Sequence, residues 1–380
     1  MAARILSNDF RALWADCSAD VHTAVERVGQ SGWLVLGKEV REFEAAFSEA
    51  SGVAHTVGCA NGLDALEIGL RVAGLEAGDR VITTPLSAFA TTLAIHRAGG
   101  VPVFVDVDAT GLIDLKLAEA ALRETGARFF LPVHLFGHCL DLDAVSALAQ
   151  ATGAIVLEDC AQSVLATSRG RRCGSVGLAA GTSFYPTKNL GALGDGGALF
   201  THDEGVRDRA RVLRDYGQTS KYVHGELGLN SRLDELHAAI LQTAFLPRLA
   251  GWTERRRAIA ARYQAEIKNE NLRIPPAPPA SESVWHLFPL LVEGDRASFM
   301  RHLDAQGVGN GVHYPQLISD QAALRDLVPP APASAPTRYP NARRFADTEL
   351  SIPIHPYLTD DEVNAVITAC NEWNGCPTTP

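Results

Sequence analysis

Thr182-Ser183-Phe184-Tyr185-Pro186-Thr187-Lys188-Asn189-Leu190-Gly191-Ala192-Leu193-Gly194-Asp195-Gly196-Gly197 decides how this chain reads. An aromatic, β-prone run ends at Pro186, Lys188 follows, and a loop with four glycines leads into the apolar run Ala198-Leu199-Phe200. A lysine in such a turn is held by its surroundings rather than free in water. Buried among apolar neighbours it loses proton affinity, and its neutral amine can form a Schiff base with a carbonyl. The alternative is a plain surface lysine, one of 34 basic side chains.

Upstream, Ala154-Ile155-Val156-Leu157-Glu158-Asp159 is a short apolar run closed by two carboxylates. It reads as a buried parallel strand whose carboxyl end opens into a site, where an acid can meet a ligand. A pyridoxal phosphate enzyme needs a lysine for the cofactor's aldehyde and an aspartate to keep the ring nitrogen protonated, so that the ring acts as an electron sink. Asp159 and Lys188, each at a strand end, are that pair.

Further segments join these in a recognisable order: Asn61-Gly62-Leu63-Asp64-Ala65-Leu66, Gly78-Asp79-Arg80-Val81-Ile82, Pro132-Val133-His134-Leu135-Phe136-Gly137, Glu158-Asp159-Cys160-Ala161-Gln162, the Lys188 loop, and Gly228-Leu229-Asn230-Ser231-Arg232-Leu233. With them the chain resembles the DegT-like nucleotide-sugar aminotransferases from about residue 30 to residue 260, and more weakly to its end. The resemblance implies an α/β protein of the aspartate aminotransferase-like fold type I. A large domain with a mostly parallel mixed sheet between helices is expected over 1–250, and a smaller α+β domain over 251–380.

It also implies pyridoxal 5'-phosphate as cofactor. The cofactor phosphate is expected on the backbone amides of Gly62 and Leu63, on Ser183, and on Asn230 reaching across a homodimer interface. Leu63 stands where threonine is common in the family, so only its amide carries over. Gln162 is expected at the phenolic oxygen. Phe89 lies one residue beyond the family's ring-stacking aromatic, at Ala88, and is either its substitute or a core residue. Tyr185, Lys221, Tyr222, His313 and Tyr314 are the expected substrate contacts. The Lys188 loop and Tyr216-Gly217-Gln218 with Lys221-Tyr222 look like the branch that aminates C3, which points to a nucleotide-linked 3-keto, 6-deoxy hexose with L-glutamate as amino donor. The alternatives are a 4-keto nucleotide sugar, or a sensor or regulatory protein that keeps the cofactor without turnover.

The remaining sequence agrees with a globular enzyme. At 380 residues it exceeds what one core usually holds. With 46% hydrophobic and 21% charged residues it has an ordinary composition, and no apolar stretch reaches membrane-spanning length. The N-terminus meets Asp9 before a signal-peptide core can develop, so a cytoplasmic location is expected. Net charge of −10 speaks against nucleic acid, yet leaves room for an anionic small substrate. Seven cysteines, odd in number and without a CxxC pair, argue against a zinc ribbon or a disulfide framework.

Along the chain, Val40, Phe43, Phe47 and Ala50 have helical spacing and predict core packing. Asn61-Gly62 turns a strand over 55–60 into a helix with a Leu63, Leu66, Leu70 stripe, so the turn offers a helix N-terminus suited to a phosphate. Strands are expected over 80–84, 101–106 and 127–135, and helices over 114–123 and 141–151, giving a parallel sheet covered on both faces. His134 reads as a satisfied core histidine with no neighbouring carboxylate. Arg169, Arg171 and Arg172 with Gly170 form a solvated hairpin-like turn, and 204–216 an amphipathic helix. One long helix or two span 236–269, followed by proline-rich loops at 274–280 and 329–336. A strand over 285–292 and a helix over 297–306 lie between those loops, and His313-Tyr314-Pro315 is placed at the end of the next strand.

Overall fold

A computed structural model describes residues 4–325 and 338–375 of the chain; the 329–336 proline stretch and Cys376 lie outside them. Helices α1 (Phe10–Ser31) and α2 (Lys38–Ser51) come first. Strand β1 (His55–Cys59) then turns at Asn61 into α3 (Gly62–Val72). Next come β2 (Arg80–Thr83), α4 (Phe89–Arg97), β3 (Val101–Phe104), α5 (Leu115–Thr125), β4 (Phe129–Phe130), α6 (Leu142–Thr152) and β5 (Ile155–Asp159). A small hairpin, β6 (Thr167–Ser168) and β7 (Arg171–Arg172), precedes β8 (Ala179–Ser183), β9 (Gly197–Thr201) and α7 (Glu204–Leu213).

Seven of these strands form one sheet in the order β1-β9-β8-β5-β4-β2-β3. All neighbours pair parallel except β9, which runs antiparallel to both β1 and β8. The mostly parallel mixed sheet of fold type I is therefore present, and the residues just past β1, β2, β5 and β8 gather along one edge, as the carboxyl ends of parallel strands do. Local chemistry agrees with the helix starts: Asp9, Asn61, Asp114, Asp141 and Asp203 each accept first-turn amides through the side chain. Phe43 and Phe47 of α2 are fully buried, and each meets Phe184 edge-on at a centroid distance of 5.4 Å, which fixes the base of the Lys188 loop.

The strand expected over 127–135 is regular only at Phe129–Phe130, because Pro132 has no amide to give the ladder. Its path still continues beside β5, with the His134 amide donating to the Asp159 carbonyl at 3.0 Å.

A hairpin, β10 (Gln218–Ser220) and β11 (Val223–His224), occupies the long loop after α7. From α8 (Glu235–Ile240) the chain passes through a π turn at Leu241–Phe245 and a 3-10 turn at Leu246–Arg248 into α9 (Leu249–Glu266). The irregular turns fall where Pro247 cannot donate to the helical ladder. Beyond α9, β12 (Leu272–Arg273), β14 (Phe288–Val292) and β15 (Glu349–Ile352) form a three-stranded antiparallel sheet, while β13 (Ser281–Glu282) joins the β6–β7 hairpin. Helices α10 (Arg296–Ala305), α11 (Pro340–Thr348) and α12 (Asp360–Glu372) complete this part. One packing cluster joins Ile259, Ala260 and Tyr263 of α9 to Phe288, Leu290, Phe299 and Val366, and also takes in Ile5 from the N-terminus.

Two further expectations are corrected. The strand anticipated from Trp285 begins at Phe288, since Trp285 sits in the left-handed region at φ 47°. His313 and Tyr314 do not end a strand: only Gly311 bridges to Ser351, and Pro315 keeps the following backbone out of the ladder.

Candidate active site

Lys188 lies five residues beyond the end of β8, in a turn closed by its own amide donating to the Tyr185 carbonyl at 2.8 Å. The loop is pinned at several points. The Phe184 amide donates to Gly196 and the Ala192 amide to Phe184, both at 2.7 Å. Asn189 donates through Nδ2 to the Val284 carbonyl at 2.9 Å and meets His286 Nδ1 at 3.1 Å. Gly191 passes so close to Pro186 that a Cβ there would lie 2.3 Å from its carbonyl oxygen, so glycine is required.

Burial pulls the Lys188 amine down to about 8 from its ordinary 10.5, and the Asp159 carboxylate opposes that fall. Asp159, at the end of β5, is itself pushed up by burial; hydrogen bonds from Thr91 Oγ1 to Oδ2 at 2.7 Å and from the Ala161 amide to Oδ1 at 3.0 Å, together with Lys188, hold it back. The site thus combines an amine that readily loses its proton with a buried carboxylate whose charged form is opposed by burial and favoured by Thr91, the Ala161 amide and Lys188. Thr91 was not singled out from the sequence: it lies 68 residues from Asp159, and only the packing of α4 beside β5 brings them together.

At the N-terminus of α3, Asn61 Oδ1 accepts the Asp64 amide at 2.8 Å, so the Gly62 and Leu63 amides remain at the helix entrance. A Cβ on Gly62 would lie 2.8 Å from Ser183 Cβ, and one on Gly197 would lie 2.6 Å from the Gly62 nitrogen. These glycines bring the ends of β1, β8 and β9 into contact, which sets the Ser183 hydroxyl beside the helix entrance and forms a cradle for a phosphate. Ser183 Oγ also accepts the Tyr185 amide at 3.2 Å. Cradle, amine and carboxylate together fit the demands of pyridoxal phosphate: an anion seat, a nucleophile of lowered proton affinity, and an acid for the ring nitrogen.

A cavity of about 380 Å³ opens beside Lys188, walled by Gln162, Tyr185, His286, His313, Tyr314 and Asn8. Gln162 accepts the Phe136 amide through Oε1 at 2.7 Å and donates to the Tyr314 hydroxyl through Nε2 at 3.2 Å. His313 is pulled down to about 4 by burial and by Lys188, so it is a neutral imidazole at this wall. Phe89 opens α4 and packs against Phe104, Ile318 and Leu324.

Lys221 and Tyr222 lie elsewhere. They sit at the exposed tip between β10 and β11, with Lys221 Nζ 5.3 Å from the Tyr222 ring centroid, and do not line this cavity within one chain. Asn230 is exposed as well, while its neighbour Ser231 is buried and accepts the Ala60 amide at 3.1 Å. Arg169 and Arg171 pair with Asp141 and Asp143 at 3.2 and 2.8 Å on the surface, as a solvated turn should. His134 is buried as expected, but it does have a carboxylate neighbour: Nε2 meets Glu158 Oε2 at 2.9 Å and Nδ1 accepts the Leu140 amide. The parallel register of Val133 with Asp159 sets these side chains abreast, a relation across strands that the local sequence does not display.

The arrangement is that of a pyridoxal phosphate-dependent transaminase of fold type I. Residues 16–371 match the family model described as DegT/DnrJ/EryC1/StrS aminotransferase family, and the chain belongs to that family of sugar aminotransferases. It is 42% identical over 361 residues to the erythromycin biosynthesis sensory transduction protein EryC1 of Saccharopolyspora erythraea, covering 94% of this chain and 96% of that one. It is 39% identical over 367 residues to a dTDP-3-amino-3,4,6-trideoxy-alpha-D-glucose transaminase of Streptomyces venezuelae, covering 96% and 95%. The crystal structure of S. venezuelae DesV superposes with a TM-score of 0.93 at 39% identity, over 98% of this chain and 99% of that one. No helix among the described residues is long and apolar enough to cross a membrane.

Proposed function

We propose that this protein is a cytoplasmic aminotransferase that converts a nucleotide-linked 3-keto, 6-deoxy hexose to the 3-amino sugar, with L-glutamate as amino donor. The observation that carries the reading is Lys188, an amine lowered by burial, facing the Asp159 carboxylate at the edge of the sheet. Pyridoxal phosphate, when bound, supplies the electron sink that lets an amino group leave one carbon and join another. Lys188 Nζ, in its neutral form, would hold the cofactor, and it would carry a proton to and from the substrate carbon. Asp159, held by Thr91 and the Ala161 amide, would keep a proton on the ring nitrogen. Gly62, Leu63 and Ser183 would seat the phosphate. Gln162 would serve the phenolic oxygen, and the wall of Tyr185, His313 and Tyr314 would limit water at the reacting carbon. The large domain runs over 1–250 and the small one over 251–380, with the substrate between them.

Amination at C3 is favoured by the Lys188 loop and by the S. venezuelae relative, whose name specifies a 3-amino sugar. A homodimer is favoured by exposed apolar side chains that one chain leaves uncovered, Trp33 at 62%, Leu34 at 63%, Tyr222 at 81% and Leu227 at 90%. In such a dimer Asn230 reaches the partner's phosphate seat, and Lys221 and Tyr222 reach its substrate. The test offers 3-keto and 4-keto forms of one nucleotide sugar at equal concentration with glutamate, and locates the new amine by NMR. Amine at C3 and 2-oxoglutarate in equal amount are expected, whereas amine mainly at C4 would refute the regiochemistry. A second reading, a sensor that binds the cofactor without turnover, is favoured by the name of the S. erythraea relative. Absence of 2-oxoglutarate from a protein that holds the cofactor on Lys188 would support it.

A further inference from the structure

Three side chains run in line from the cavity wall into the sheet of β12, β14 and β15. His313 lines the cavity that Lys188 also lines, and its Nδ1 meets Ser351 Oγ at 3.1 Å. Ser351 Oγ lies 2.6 Å from Glu349 Oε1, and Glu349 Oε2 accepts the His313 amide at 2.5 Å. Glu349 and Ser351 stand two residues apart on β15, so they share one face of the strand, and Gly311 bridges to Ser351 to bring the His313 segment alongside. Glu349 is at 0% exposure and forms no ion pair among the described residues. Arg296 acts on it from a distance, with Nη1 directed to the carbonyls of Ala346 and Glu349 at 2.6 and 3.2 Å. Burial pushes the Glu349 carboxyl up to about 8, so at pH 7 about 90% of it holds a proton.

The partners leave one arrangement of protons for each state of Glu349. An ionised carboxylate only accepts, so the Ser351 hydroxyl donates to Oε1 and its oxygen accepts Nδ1–H of His313, which leaves Nε2 bare. In the neutral carboxyl Oε2 still accepts the His313 amide, so the proton sits on Oε1 and is donated to Ser351 Oγ. The Ser351 hydroxyl then donates to Nδ1, and the ring hydrogen is on Nε2. From the ionised to the neutral state one proton enters from water at Nε2, the Nδ1 proton passes to Ser351, and the Ser351 proton passes to Glu349. The imidazole is uncharged in both states. Nε2 is bonded to nothing among the described residues and is not sealed from solvent. The other titratable groups acting on the pair are Lys188 and His286 on His313, and Tyr314 on Glu349; burial keeps His286 and Tyr314 uncharged.

We propose that Glu349 is a positioning residue whose protonation, relayed through Ser351, makes His313 a hydrogen-bond donor to an oxygen of the bound keto-sugar that carries no proton of its own. The identity of the ligand rests on the transaminase reading, and the tautomer of His313 does not. A carbonyl or ring oxygen can only accept, so it is matched by Nε2–H and left unpaired by bare Nε2. Since the matching form falls from about 90% at pH 7 to ~10% at pH 9, KM for such a sugar should rise roughly ninefold over that interval.

The experiment reads the tautomer directly in the holoenzyme carrying ¹⁵N-histidine, with His313→Gln identifying the signals. At pH 7 Nε2 should carry the hydrogen, and above about 8 the hydrogen should move to Nδ1. In Glu349→Gln the amide carbonyl takes the His313 amide and the NH₂ donates to Ser351, so Nε2–H should persist at every pH. Ser351→Ala should abolish the step near 8, and it decides if Glu349→Gln does not fold. KM for a dTDP-linked 3-keto, 6-deoxy hexose should rise between pH 7 and 9 in the parent and stay level in Glu349→Gln, whereas the titration of Lys188 is common to both and remains. Hydrogen on Nδ1 at pH 7 in the parent overturns the relay, as does the same pH course in Glu349→Gln. A lower melting temperature with unaltered tautomer and KM profile marks Glu349 as a structural residue and overturns it too. A tautomer step with level KM in the parent refutes the contact to a proton-free oxygen. A tautomer step without any keto-sugar turnover removes the transaminase reading and the sugar contact with it, while the relay stands.

Discussion

Replacing Asp159 by asparagine removes the charge that favours the Lys188 ammonium and leaves the shape of the site almost unchanged. Burial lowers the lysine, Asp159 raises it, and the balance lies at about 8 against an ordinary 10.5. At pH 7 about 10% of such amines are neutral, against ~0.03% of solvated lysines, a gain of roughly 300-fold in the form that attacks an aldehyde. Without the carboxylate the value must fall below 8, so capture of the cofactor should become easier at low pH even as turnover is lost. The assay adds saturating pyridoxal phosphate to cofactor-stripped protein at several pH values, fixes it with borohydride, and quantifies the labelled Lys188 peptide. A midpoint near 8 is expected for the parent and a lower one for Asp159→Asn. A midpoint near that of a free lysine in the parent, or an upward shift in the variant, would refute the electrostatic account. The same depression has a consequence for stability. Between about 8 and 10.5 the unfolded chain binds a proton that the folded one does not, so the stripped protein gains stability as pH rises through that window, by ~3 kcal/mol in all.

Other expectations follow from single environments. Glu158 is fully buried and accepts the Gly174, Val176 and Gly177 amides at 2.8–2.9 Å as well as His134, so Glu158→Gln places an NH₂ among converging donors. It should cost ~2–4 kcal/mol by denaturant unfolding, and a loss under ~1 kcal/mol would contradict that saturated environment. Glu349, buried and bonded by Ser351 Oγ at 2.6 Å and the His313 amide at 2.5 Å, is pushed up by burial to about 8 from 4.5. The parent should therefore lose stability as pH rises from about 4.5 to 8, and Glu349→Gln should flatten that slope; parallel slopes in thermal melts would exclude the assignment. Mixing inactive Lys188→Ala with inactive Asn230→Ala, followed by subunit exchange, should restore part of the activity, because one site of each heterodimer then carries neither defect. No recovery despite proven exchange would place Asn230 in its own chain's site.

The parts of the site legible in the sequence are those written into a single turn. Lys188 could be read because a strand, a proline and four glycines constrain one lysine within sixteen residues, and Asp159 because an apolar strand ends on it. Gly62 and Ser183 could be placed at strand ends for the same reason, although only the structure shows that a Cβ on Gly62 would strike Ser183. What was not legible depends on registers between distant segments. Thr91 meets Asp159 across 68 residues, His134 meets Glu158 because β4 and β5 run abreast, and Asn8 meets the cavity because Ile5 pairs with Val308 and ties the N-terminus to the C-terminal part. Arg256 is the clearest case. In sequence it is the middle of Arg255-Arg256-Arg257, three identical side chains within the helical stretch 236–269. Successive helical residues are rotated by about 100°, so the three cannot share an environment. Arg255 and Arg257 are half-buried or better exposed and reach Asp360 and Glu282, while Arg256 points inward and meets two carbonyls among the described residues. A run of identical residues thus holds one that is buried without a counter-charge among the described residues, and that difference becomes visible only once α9 is packed.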